Sequence, residues 1–359
     1  MALAACATAP PPDAARITLV GEALTTDGPV VWARENGWVA AWIGSDKADV
    51  FQVARPLGGD AAPVVLPLPP RHPFAQQGVP AAGGRFHLLW LDANADASNR
   101  LYSALLSPDL QVIRGPVEVS DGFTQHYAVT AARDGGVRVA WSGGMPAEPS
   151  LYTQRIDADG RPLVATRVAL NAAWPALATT AREPLLFWRD RTSGNLWRAA
   201  FDGSNAVRLA SGVALAAADR IVNVSAAATN TFGVYVWNVT RADGSDESWL
   251  TGGSLTASDW PTPVRVALSQ DDAQQPVRWL AVHAQSDRLV GAGQVGRQVG
   301  LLAFDRERVT AFTPLASLDA DLIGPVRLVL AADETAAVTW AEPGPDAARL
   351  YMAVGDSSQ

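Results

Sequence analysis

The sequence predicts an all-β protein built from seven copies of one four-stranded antiparallel unit. Three observations predict it: a composition rich in turn formers and tryptophan, a tryptophan that returns about every fifty residues, and a second aromatic that trails each one at a steady interval. The 359 residues include 13 Trp, 30 Gly and 25 Pro, a mixture that favours many short strands and tight turns over long helices. Hydrophobic residues make up 48% of the chain and charged residues 18%. A large core is therefore available, and disorder is excluded as the dominant state.

The first mark of the repeat is Trp42, Trp90, Trp141, Trp188, Trp237 and Trp340, which close the runs WVAAW, FHLLW, VRVAW, PLLFW, GVYVW and AAVTW. Successive gaps are 48, 51, 47, 49 and 103 residues. The last is two periods long, which places a copy without Trp near Val290–Ala292. The second mark follows after 9 to 12 residues: Phe51, Tyr102, Tyr152, Trp197, Trp249 and Tyr351, with Leu301-Leu302 in the Trp-less copy. A polar turn lies between the marks. Another turn, such as DADG (157–160), follows the second, and then a strand such as TRVAL or VRVAL. Each unit reads as four short strands joined by hairpins.

Seven four-stranded units with a period of 40–50 residues are the signature of a β-propeller. The reason is burial: one such sheet cannot cover both its faces, so the sheets stack radially as blades. The repeated Trp plugs the space between neighbours, and truncating one to Ala should cost about 3–5 kcal/mol. Residues 324–354 supply only three strands, GPVRLVLAA, AAVTW and RLYMAV. The N-terminal run RITLVGE (16–22) is then expected to complete the seventh blade and remove an open sheet edge. Residues 16–359 form the propeller domain in this reading.

Lys+Arg is 28 and Asp+Glu 36, a net charge of −8, which argues against nucleic acid as a partner. Lys47 is the only lysine, so Schiff-base chemistry has a single candidate. No apolar run approaches the length of a membrane-spanning helix. Cys6 is the only cysteine, which excludes an intrachain disulfide. Leu3-Ala4-Ala5-Cys6 resembles the bacterial lipobox, whose cysteine is acylated, and the following ATAPPPDAA reads as an extended tether. The basic and long apolar parts of a signal peptide are missing, so residues 1–15 read as a truncated signal with lipobox and disordered tether. The expected location is extracytoplasmic, with lipid-anchored attachment to the bacterial cell envelope.

The copy GVRVAW…SLYTQRIDADGRPL (136–163) resembles the extracytoplasmic bacterial β-propeller lipoproteins with sialidase-like or WD40-like repeats. The resemblance implies fold and location. The Asp box Ser-x-Asp-x-Gly-x-x-Trp is matched only in part by TTDGPVVW (25–32), and no WD dipeptide occurs, so no catalytic residue is carried over.

In a propeller the inner strands start around a central funnel, where side chains from every blade converge. Counting back ~14 residues from each Trp finds Gln76-Gln77, Gln125-His126-Tyr127, Trp174, Asn223, Arg278-Trp279 and Arg327. The ligand-binding candidates are Gln77, Gln125, His126, Tyr127, Trp174, Asn223, Arg278 and Arg327, a set suited to a sugar or a small anion. A water-filled channel tolerates the same side chains. Asp27, Asp121, Asp219, Asp271, Asp272, Asp319 and Asp321 fall in the loops before these strands; they read as an acidic crown or as turn caps. Asp92, Asn94 and Asp96 offer alternating oxygens of the kind a Ca2+ loop uses, without its central Gly or closing Glu. No cofactor is otherwise expected. His87 and His283 read as core histidines and His72 as a loop residue. There is no Gly-x-Ser-x-Gly elbow, and Tyr127 with Arg278 and Arg327 imitates a sialidase centre only in part. The sequence thus favours a binding or scaffolding module for a protein or glycan partner, with a carbohydrate-active enzyme working at the funnel as the alternative.

Overall fold

The computed structural model describes residues 16–357, apart from residues 24–27, 36, 47–48, 69–71, 94–97, 121, 146–147, 181–182, 213–214, 271–272 and 307. Cys6 and the tether lie outside the described residues. So do Asn94 and Asp96 of the calcium-like loop, and Asp27, Asp121, Asp271 and Asp272 of the crown.

The described chain is all β apart from one 3-10 turn, Ala82–Gly84. Seven antiparallel sheets follow one another in sequence order. Blades 1 to 5 occupy residues 30–65, 73–118, 124–169, 172–210 and 220–265, and blade 6 residues 273–317. Blade 6 carries an extra short strand, Ala267–Gln270, paired with the start of its inner strand. The run VRVAL is therefore shared: Val264–Arg265 ends blade 5 and Ala267 begins the extra strand of blade 6. Blade 7 takes three strands from residues 327–356, and Arg16–Ala23 pairs antiparallel with Ala348–Asp356 as its outermost strand.

Seven buried clusters lie one at each junction between neighbouring blades. An open arc of seven sheets has one junction fewer, so the ring is closed. Trp42, Trp90, Trp141, Trp188, Trp237 and Trp340 are all buried, each in the cluster shared with the preceding blade. Their trailing aromatics sit directly across the ladder: Trp90 faces Tyr102, Trp141 faces Tyr152, Trp188 faces Trp197, and Trp340 faces Tyr351. These four pairs stack at 5.4 to 6.2 Å between ring centroids, a separation typical of favourable aromatic pairs.

Two registers differ from the sequence expectation. In blade 1, Trp42 faces Val53, and Phe51 falls opposite Gly44. In blade 6 the place of the missing Trp is Gly293, opposite Gly300, rather than Val290–Ala292 opposite Leu301-Leu302. Blade 6 opens with the extra strand Ala267–Gln270, which carries this position beyond the usual period, and the interrupted inner ladder identifies it. Residues 279–280 interrupt the inner ladder of blade 6 as residues 75–76 and 174–175 interrupt those of blades 2 and 4. Trp90 and Trp188 stand opposite these interruptions, and Gly293 holds the same position. The Val277 and Leu302 side chains close on Gly293, where a Cβ would meet them at 3.1 and 3.2 Å, and Phe312 lies against Gly300.

At the closure, Trp42 of blade 1 lies against the N-terminal strand. A Cβ at Gly21 would sit 2.7 Å from its ring, so only glycine admits this contact. Arg55 donates to the Leu19 carbonyl at 2.9 Å, and Thr339 to that of Pro29 at 2.9 Å.

Candidate ligand-binding site

The funnel face is shaped by how each inner strand begins. In blade 4 the sequence Ala172-Ala173-Trp174-Pro175-Ala176 breaks the ladder between Ala173 and Ala176. Trp174 takes a left-handed backbone, φ 57°, which a non-glycine residue adopts at a cost of about 1–2 kcal/mol. Pro175 suits the break because it has no N–H to lose from the ladder. The Trp174 carbonyl, freed from the sheet, accepts the Tyr235 hydroxyl of blade 5 at 2.9 Å. The indole is thereby turned out of the sheet and left half-buried.

In blade 3 the break is one residue wide and falls nearer the start of the strand, at Gln125, between Thr124 and His126. The His126 ring stacks on Trp174 with 3.4 Å between centroids. Its Nδ1 lies 3.4 Å from Ser142 Oγ. Burial, aided by the nearby positive charge of Arg191, pulls the His126 pKa down to about 4. The imidazole is therefore neutral at physiological pH.

The third part is the turn Asp190–Gly194, joining the second and third strands of blade 4. Asp190 Oδ1 accepts the N–H of Thr192 at 3.1 Å, the N–H of Ser193 at 2.6 Å and the Ser193 hydroxyl at 2.7 Å. Gly194 closes the turn at φ 70°. The Arg191 N–H donates to the Asn171 carbonyl at 2.7 Å, which pins the turn beside the strand that bears Trp174. Arg189 is buried, its guanidinium 5.4 Å from the Trp237 ring centre, and burial lowers its pKa from the ordinary arginine value.

Together these groups line a half-open cavity of about 530 Å³, bounded by Asn99, Phe123, Gln125, His126, Ala173, Trp174, Arg189, Asp190, Arg191, Gly194, Leu215 and Ile221. Its size lies within the range of small-molecule sites. Of the eight funnel candidates, the structure brings Gln125, His126 and Trp174 together here.

The other five lie elsewhere. Tyr127 is buried, its hydroxyl donating to the Leu89 carbonyl at 3.0 Å and to that of Ala75, while Gln77 Nε2 donates to the Tyr127 carbonyl at 3.0 Å. These two bind blade 2 to blade 3. Asn223 pairs opposite Asn238 within blade 5. Arg278 stands at the bulge of blade 6, where its charge acts on Asp246. Arg327 opens the inner strand of blade 7 opposite Thr339.

Two of the acidic candidates are engaged within the fold. Asp219 accepts from Arg241 at 2.6 Å and from the N–H groups of Ala216 and Ala242. Asp92 accepts the His72 N–H at 3.0 Å and the Trp90 indole N–H at 3.4 Å. No group of three metal-ligating side chains occurs among the described residues. His87 is fully buried, as expected of a core histidine. His283 is instead exposed on the inner strand of blade 6.

Counting strand starts could not find Asn99, Arg189, Asp190 or Arg191, because they lie on other strands and turns. One signal was present. Asp190 stands two residues after the repeat Trp188, as Asp92 follows Trp90 and Glu342 follows Trp340. Those two accept their tryptophan's indole N–H, Glu342 at 2.9 Å. Asp190 turns away to organise its own loop.

No protein-family model and no curated protein matches the sequence. Solved structures match the fold. A polysaccharide lyase is similar over 94% of this chain and 91% of its own, at 9% identity and a TM-score of 0.56. An α-L-arabinofuranosidase from Fusarium graminearum, solved with an iminosugar inhibitor, aligns over 79% of this chain and 93% of its own, at 12% identity and a TM-score of 0.51. An α-L-arabinanase from Penicillium chrysogenum, solved with arabinobiose, aligns over 80% and 94%, at 14% identity and a TM-score of 0.50. The chain is a seven-bladed β-propeller whose structural neighbours, at low sequence identity, include enzymes that act on carbohydrate.

Proposed function

We propose that the protein is a carbohydrate-binding propeller that holds a saccharide in the cavity between blades 3 and 5. The observation that carries this reading is the Trp174–His126 stack at the cavity wall, ringed by the amides of Gln125 and Asn99 and by charged groups of the 190–194 turn. An aromatic face covers the apolar C–H surface of a sugar ring, and the polar groups around it bond its hydroxyls. The carbohydrate-active fold neighbours support this choice of ligand over a protein partner. Binding is favoured over hydrolysis because a glycosidase needs two opposed carboxylates. Among the described lining residues there is one, Asp190, and its turn already holds it.

The test is a screen of immobilised plant and bacterial oligosaccharides with wild-type protein and Trp174→Ala. The expected result is at least one bound saccharide class whose affinity drops about tenfold or more in the variant, the loss of one stacking contact being of order 1.4 kcal/mol. Binding that survives Trp174→Ala undiminished would move the site elsewhere. Acylation of Cys6 would hold this binding surface at the cell envelope; incorporation of labelled palmitate in a bacterial host, lost in Cys6→Ser, tests that separately.

A further inference from the structure

We infer that the junction between blades 1 and 2 is a binding site for an internal water, which bridges the side-chain amides of Gln52 and Gln76. Gln52 lies on the third strand of blade 1, and Gln76 at the break in the inner strand of blade 2. Both are almost wholly buried, at 3% and 2% exposure. Neither amide oxygen and neither amide nitrogen has a hydrogen-bond partner among the described residues. A buried amide in that state bears its full desolvation cost, so a ligand that meets both groups is favoured.

The repeat shows what these two places do elsewhere. Gln52 stands opposite Ile43, the residue after Trp42. In blade 5 the residue after Trp237 is Asn238, and it stands opposite Ser248. Gln52 therefore holds the place of Ser248, and Ile43 that of Asn238. Gln76 holds the place of Leu280, since each is the second residue of its break. Between blades 5 and 6 these places touch. The Leu280 N–H donates to Ser248 Oγ at 3.2 Å and to Asn238 at 2.9 Å, and Asn238 donates to the Leu280 carbonyl at 3.0 Å. The Leu280 side chain packs in the cluster of that junction, so in the same register the Gln76 side chain enters the junction between blades 1 and 2. Gln52 faces it as well. It lies two residues before Ala54, a member of the cluster there, and alternate residues of a strand share a face. Ile43 brings no polar atom to this junction, and the two amides are left to face one another's side of it.

The balance of donors and acceptors selects the ligand. Each amide offers an acceptor oxygen and two N–H donors, without net charge. An anion would meet the oxygens unfavourably and a cation the N–H groups. Water donates and accepts, and buried water makes about three hydrogen bonds to groups that have no other partner.

The experiment is a crystal structure of the whole chain at a resolution that shows ordered water, together with denaturant unfolding of the wild type, Gln52→Leu, Gln76→Leu and the double variant. Leucine is what blade 6 carries at the Gln76 place, so that substitution suits the repeat. One water within about 3.2 Å of both side chains is the expected density. Each single substitution leaves the other amide without its bridge and should lower the folding equilibrium constant about tenfold or more. The double variant removes both polar groups and should lose clearly less than the product of the two single losses. A direct bond between the amides, or a gap that holds no water, overturns the inference, and so do single losses that simply multiply in the double variant. Should a variant fail to fold, the wild-type crystal structure decides alone.

Discussion

At the scale of single residues, His87, His126 and His283 hold protons poorly for the same reason, burial, and the first two serve different ends. His126 stands in the candidate cavity. His87 is fully buried in the second strand of blade 2, with Val79 and Leu105 on either side of it in the sheet. Burial lowers the His87 pKa to about 4, and the charge of Arg85 pushes the same way. In an unfolded chain the imidazole titrates near 6.5. Between these values the unfolded chain takes up a proton that the folded chain refuses, so stability is full above pH 6.5 and falls as pH drops toward 4. The His87 share is about 3 kcal/mol over that window. Urea midpoints at pH 7 and pH 5 should differ clearly in the wild type, and His87→Leu should remove the His87 share of the difference, the rest belonging to His126 and His283, whose pKa values burial also lowers. An unchanged difference in the variant would mean that His87 is protonated in the fold. Sequence position alone marked His87 as a core residue because it sits within an apolar run. The same logic misplaced His283, since an inner strand presents one edge to the funnel, and an apolar neighbourhood in sequence does not say which residues face it.

At the scale of elements, the breaks in the inner strands do most of the shaping. Each leaves backbone groups outside the ladder, and the neighbouring blade supplies their partners. Tyr127 serves the break in blade 2 and Tyr235 that in blade 4. In blade 6, buried Asn238 accepts the Leu280 N–H at 2.9 Å and donates to the Leu280 carbonyl at 3.0 Å. Replacing Asn238 by Leu should strand the Leu280 carbonyl, take away the acceptor of the Ser248 hydroxyl and leave the Leu280 N–H only Ser248 Oγ at 3.2 Å, at a cost of about 2–4 kcal/mol. A fall of that size in a denaturant-derived stability, with the far-ultraviolet spectrum unchanged, is the expected outcome; a loss below about 1 kcal/mol would show that the break finds another partner. Strand order and the tryptophan ladder could be read from the chain because burial recurs with the repeat. The breaks could not. They shift register by one or two residues without altering the hydrophobic pattern, and the extra strand that makes Gly293 rather than Ala292 the tryptophan position leaves no mark in that pattern either. Gln125, His126 and Trp174 were within reach because they start strands. Arg191 was not, since only folding carries the 190–194 turn over the strand that bears Trp174.

At the scale of the whole molecule, closure rests on Arg16–Ala23 completing the seventh blade. A chain that starts at residue 24 should leave Ala348–Asp356 as a bare edge and uncover Trp42. Compared with a chain that starts at residue 16, it should melt at a lower temperature and associate as concentration rises. Calorimetry and light scattering measure the two effects, and equal melting temperatures would show that the ring does not depend on this strand.

This arrangement also constrains synthesis. Within the propeller the first strand to leave the ribosome pairs with the last, so Arg16–Ala23 has no ladder partner until more than three hundred further residues have followed it. Contacts so distant along the polymer form slowly. The early blades must therefore hold together by nearest-neighbour stacking until Ala348–Asp356 has been made.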